Sequence, residues 1–145
     1  MEEKNVIITV ESVLRRDTEQ EAVIQRSQGI LRQEGDRWLL TYREGDSGLG
    51  DTRTTLRLES GRAVLEREGE IRSRMVFQVG APYVCLYETP YGRIPMTVET
   101  QTLRWELTGA GGRVDIVYNM KLAGADGGEN HLRLTIDTKE NGYDR

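Results

Sequence analysis

The strongest constraint in this chain is a period of two. Val6, Ile8, Val10 and Leu14 share one parity, as do Trp38, Leu40 and Tyr42. Thr54, Leu56 and Leu58 repeat it, then Ala63 and Leu65, then Ile71, Met75 and Phe77. Ile94, Met96 and Val98 follow, then Leu103, Trp105 and Leu107. The clearest sets come last: Val114, Ile116, Tyr118, Met120 and Leu122, then Leu132, Leu134 and Ile136. Charged residues and threonines fill most positions between them. Alternation sends successive side chains to opposite faces, so each segment has one apolar and one wet face. That is the pattern of antiparallel sheet; a parallel sheet buried on both faces reads as continuous apolar runs.

The punctuation agrees. "QEGDR", "ESGR", "EREGEIR", "QVGAPY", "TPYG" and "TGAGGR" are short, and each carries glycine, as hairpin loops do. Two loops read as long, "REGDSGLGD" at 43–51 and "AGADGGEN" at 123–130. The one segment with helical character, 17–28, runs on into "GILRQ" and reads as strand. Consecutive hairpins on one core close most simply into an up-and-down barrel of about eight to ten strands. The expected fold is therefore all-β, antiparallel and barrel-like, one domain over residues 1–145 with a frayed tail at 139–145.

The segment "ETPYGRIPMTVET" concentrates special residues. Pro90 suits the second place of a turn and Gly92 a positive φ, which makes a three-residue hairpin loop between strands Tyr83–Thr89 and Arg93–Gln101. Pro95 lacks a donor and belongs at a bulge or an unpaired strand side.

The same segment carries a family resemblance. "YETPYG" with the following "VET" resembles the YwiB-like family of small bacterial proteins, a domain of unknown function found mainly in Firmicutes. "LTYRE" (Leu40 to Glu44), "LEREGEIRSRMVFQVGA" with Arg67, Gly69, Phe77 and Gly80, "VDIVYNM" and "LRLTI" extend the likeness in order along nearly the whole chain. The resemblance implies a lipocalin-like, calycin-type β-barrel and carries over no catalytic residue.

Composition removes several function classes. The chain has 24 acidic and 20 basic side chains and a net charge of −4, which argues against a nucleic-acid binder. No run reaches the roughly 20 apolar residues of a membrane helix, and "MEEKNVIITV" is no signal peptide, so the expected setting is cytoplasmic. His131 and Cys85 alone cannot assemble a zinc site, so no metal or cofactor is expected. None of Ser47, Ser60 or Ser73 sits in a nucleophile elbow. Cys85, inside "YVCLY", reads as a small buried apolar residue. Glu44, Asp46 and Asp51 in "EGDSGLGD" offer oxygen ligands without EF-hand spacing.

What remains is the barrel lining. Arg67 continues the parity of Ala63 and Leu65, and Arg26 that of Ala22 and Ile24. A guanidinium on an inner face needs a partner and is suited to a carboxylate. Tyr42, Tyr87 and Tyr118 can add hydroxyls and ring surface, and Phe77 an apolar wall. The expectation is a non-enzymatic barrel that takes a small, partly apolar or anionic ligand at Arg67, Tyr42, Tyr87, Tyr118 and Phe77. The competing expectation is a protein-interaction module that contacts a protein partner or a second copy as a homodimer, its interior filled by Trp38, Phe77, Trp105 and Met120.

Overall fold

The structure, a computed structural model, describes residues 2–43 and 52–138. The acidic loop of Glu44, Asp46 and Asp51 and the tail at 139–145 lie outside the described residues. Ten antiparallel strands form a nearly closed barrel: β1 (Glu2–Arg16), β2 (Glu19–Glu34), β3 (Arg37–Arg43), β4 (Thr52–Glu59), β5 (Arg62–Gly69), β6 (Ser73–Phe77), β7 (Tyr83–Thr89), β8 (Gly92–Thr108), β9 (Gly111–Leu122) and β10 (Ala125–Thr138). No helix occurs among the described residues. Segment 17–28 is strand apart from its two-residue turn, in keeping with the sequence reading.

The sheet order is β6-β5-β4-β3-β2-β1-β10-β9-β8-β7. Every ladder therefore joins strands consecutive in the chain, apart from β1 with β10, which brings the two ends of the described chain together. Closure at β6 and β7 rests on isolated contacts. Arg72 and Glu88 exchange both backbone hydrogen bonds, 2.9 and 2.8 Å, and Val79 bridges Thr100.

The alternating apolar set supplies the core. Val6, Ile8, Leu40, Leu56, Leu58, Leu65, Phe77, Val98, Val114, Ile116, Leu134 and Ile136 are all but inaccessible to solvent. Trp38, Met75, Tyr42 and Tyr118 join the same cluster, and Trp105 and Met120 pack against it half-buried. Burying one such large apolar side chain stabilises by roughly 1.5–3 kcal/mol, so this lining holds the cylinder together.

Four local features differ from the sequence reading. The stretches led by Ile94 and by Leu103 are one 17-residue strand, β8. Its register shifts between Thr100 and Thr102, and this bulge moves the inward parity from even to odd numbers. "AGADGGEN" is no long loop: the turn is Ala123–Gly124, and residues 125–130 already belong to β10. The 90s hairpin is tighter than expected, since Thr89 pairs with Gly92 around Pro90 and Tyr91. The Thr89 hydroxyl closes it, accepting from Tyr91 N at 3.0 Å and donating to Gly92 O at 3.1 Å, while Gly92 holds a φ of 142°. Finally, Arg26 does not enter the barrel. Val10 is paired with Gln25, and directly opposed residues share a face. That register turns Gln25, Ser27 and Leu31 inward and leaves Ile24 and Arg26 exposed.

Candidate functional site

Arg67 is placed by its strand. Ala63 and Leu65 are buried in the core, so two residues further along β5 the same face still looks inward. Ladder pairing extends this into a row around the wall: Tyr42 opposes Thr54, Thr54 opposes Arg67, and Arg67 opposes Ser73. Tyr42 and Thr54 are buried and Arg67 and Ser73 half-buried. Arg67 lies two residues before the end of β5, at the same barrel end as the Asp17–Thr18, Pro90–Tyr91 and Ala123–Gly124 turns.

The facing wall is polar too. Tyr118 opposes Asn130 on β10, and Asn130 opposes Leu14 on β1. Asn130 Nδ2 donates to the Tyr118 hydroxyl at 2.8 Å, and Ser12 Oγ donates to Asn130 Oδ1 at 3.1 Å. The Tyr118 ring meets Phe77 with centroids 4.8 Å apart, tilted by 53°. Burial raises the Tyr118 pKa; the Arg67 charge and the Asn130 hydrogen bond pull it back, and Tyr87 raises it further. Arg67 and Tyr87 are thus electrostatic neighbours of the Tyr118 hydroxyl. Arg67, Tyr87, Tyr118 and Phe77 gather in one region of the lining, and Tyr42 joins it along the row through Thr54.

Sequence reasoning missed Ser12, Asn130 and Gln25, and weighed Ser73 only as a nucleophile. Ser12 sits on the parity of Val10 and Leu14, so its face was readable. Asn130 was hidden inside a supposed loop, and Gln25 behind the wrong parity for β2. Cys85 is half-buried against the core, and burial raises its thiol pKa, which keeps it protonated and a poor nucleophile. His131 projects from β10 and pairs with Glu129 at 2.9 Å. Among the described residues the inner polar groups named here are hydroxyls, amides and the Arg67 guanidinium, groups that bind and orient.

The pattern of one family, described as the domain of unknown function DUF1934, matches residues 8–134. The chain belongs to the DUF1934 family. It is similar, at 25% identity over 141 residues, to the uncharacterized beta-barrel protein YwiB of Bacillus subtilis (strain 168), covering 97% of this chain and 96% of that one. The crystal structure of the ywiB protein from Bacillus subtilis matches with a TM-score of 0.85 at 24% identity, over 94% of this chain and 92% of that one. The likeness to that structure is one of fold, and it agrees with the resemblance carried by "YETPYG" and the motifs around it. In this DUF1934 chain the polar inner wall is the feature that fold alone does not demand.

Proposed function

We propose that the barrel is a binding protein for a small, partly apolar anion, with Arg67 as the anion-reading group. Tyr87 and Tyr118 supply hydroxyls beside it, Phe77 and Tyr42 supply ring surface, and no chemistry is done on the ligand. One observation carries this reading: Arg67 stands on the inner face of β5 in a row with Thr54 and Ser73, and its charge acts on the buried Tyr118 hydroxyl. A guanidinium on the inner face of a barrel is costly to desolvate, and a site for a carboxylate or sulfonate uses what a plain core does not need.

The test is fluorescence titration with 1-anilinonaphthalene-8-sulfonate, an amphipathic anion. Saturable one-to-one binding is expected, weakened about tenfold or more by Arg67→Met, which matches a lost charge-assisted hydrogen bond. Circular dichroism checks that the variant stays folded. Equal affinity in a folded Arg67→Met protein overturns the reading. Denaturing mass spectrometry of the purified protein then looks for a co-purified anion.

A second reading is a protein-interaction module with a filled core. The packing of Leu58, Ala63, Phe77 and Ile136 favours it, together with the exposure of Val84 and Leu86 on one face of β7. Light scattering separates the two: a stable dimer whose interface includes β7 supports the module.

A further inference from the structure

Nine of the ten strand-to-strand junctions are ladders; the tenth, β6 with β7, is not. Among the described residues the Arg72–Glu88 pair pins it at one end, and at the other Val79, just past β6, bridges Thr100 of β8. Between the pins Ser73–Phe77 and Tyr83–Tyr87 face one another without a ladder. Counting from the Arg72–Glu88 pair sets Arg74 against Leu86 on the outer face and Met75 against Cys85 on the inner one.

A cleft of about 470 Å³ lies over this seam. Its walls mix two kinds of residue that a closed sheet keeps apart: outer-face Glu66, Arg72 and Arg74, and inner-face Arg67, Ser73 and Cys85. Residues of both faces thus border the cleft where Arg67 sits. At the inner edge the buried Ser73 hydroxyl, directly opposite Arg67, makes no hydrogen bond to any described residue. Buried polar groups are normally satisfied, so this hydroxyl is left able to bond an incoming oxygen. Leu86 and the neighbouring exposed Val84 give the outer lip an apolar surface.

We propose that the β6–β7 seam is the entrance to the Arg67 site: the anion passes sideways through the barrel wall, its charged head reaching Arg67 and Ser73 and its apolar part resting on Leu86. This rests on the binding reading above and adds the route and the ligand's orientation. The apolar outer lip favours an anion with an apolar tail over a bare inorganic one. Arg74, held to Glu66 at 3.5 Å and to the Tyr83 hydroxyl at 3.1 Å, spans the seam from β6 to β7.

The experiment staples the seam. In a Cys85→Ser background, Arg74→Cys with Leu86→Cys places two thiols on opposed outer positions, and oxidation ties β6 to β7. Stopped-flow entry of 1-anilinonaphthalene-8-sulfonate is expected to slow about tenfold or more on oxidation and to recover with dithiothreitol, as for other gated sites. Entry unchanged by a formed staple overturns the lateral route while leaving the binding reading intact. A second measurement needs neither staple nor ligand: alkylation of Cys85 by N-ethylmaleimide in the wild type. A rate well above that of global unfolding supports a seam that admits small molecules to Cys85 in the folded barrel; a rate equal to it overturns the proposal. Rapid Cys85 alkylation without probe binding retains the opening and removes the binding reading instead.

Discussion

Tyr118 and Asn130 are joined across β9 and β10 by a 2.8 Å hydrogen bond whose acceptor, the Tyr118 hydroxyl, is buried in the barrel. Asn130 in turn accepts from Ser12, so three strands share one polar chain. Removing the hydroxyl leaves the Asn130 amide without that partner, and an unmet buried donor costs more than the mean hydrogen bond contributes. Tyr118→Phe is therefore expected to lower unfolding stability by about 1–3 kcal/mol, read from the urea midpoint at constant m-value. Asn130→Ala should cost a similar amount, and the double variant less than the sum, because the two residues share one interaction.

The same tyrosine makes stability pH-dependent. Burial raises its pKa above the usual tyrosine value, with Arg67 and Asn130 offsetting part of the rise. A raised folded pKa means that the unfolded state loses its proton first. The contribution is fully present below the unfolded value of about 10 and is lost as pH rises through the folded value. Urea midpoints taken from about pH 8 to 11.5 should fall more steeply for the wild type than for Tyr118→Phe. Parallel curves sink this assignment.

Glycine at 112 is required by contact. Its φ is 148°, and a Cβ there would overlap the Glu106 carbonyl oxygen on β8. Gly111, at φ 111°, meets the Ile136 carbonyl on β10 in the same way. Neither obstacle is a flexible side-chain tip, so backbone must move. Gly112→Ala is expected to cost at least about 3 kcal/mol, read by thermal unfolding.

How far the fold was legible depended on whether a strand's partner was needed to fix its face. β9 announces itself through Val114, Ile116 and Tyr118, and all three are buried. Arg67 was legible because Ala63 and Leu65 precede it on the same parity. β2 was not, because both of its parities carry apolar residues and only pairing with Val10 decides between them. The bulge at Thr100 was written in the sequence as a change from even to odd, from Val98 to Leu103, but a two-strand reading absorbed it. The polar chain of Ser12, Asn130 and Tyr118 was illegible for a different reason: it joins three strands whose register no single segment states.

Facing can be tested directly. Ile24 is 67% exposed, whereas Ile116 is fully buried. Ile24→Lys is expected to change stability by no more than about 0.5 kcal/mol. Ile116→Ala should cost about 2–5 kcal/mol, because the removed atoms leave a cavity in a closed lining. Equal costs at the two positions would contradict the register of β1 with β2.

The seam gives the last prediction. The Arg72 N–H donates to Glu88 O at 2.9 Å, and the Glu88 N–H returns the bond at 2.8 Å. Proline has no N–H, so Arg72→Pro deletes one of the two bonds that pin β6 to β7 at this end. The β9–β10 ladder begins two strands away from β7 in the sheet order and keeps all its bonds. Local opening energies differ along a structure, and amide exchange reads them strand by strand. Exchange in the variant should quicken by about tenfold or more at Ser73–Phe77 and Tyr83–Thr89, with β9 and β10 nearly unchanged. Uniform quickening in all strands would mean that the barrel opens only by global unfolding, and that the seam is as strong as the ladders around it.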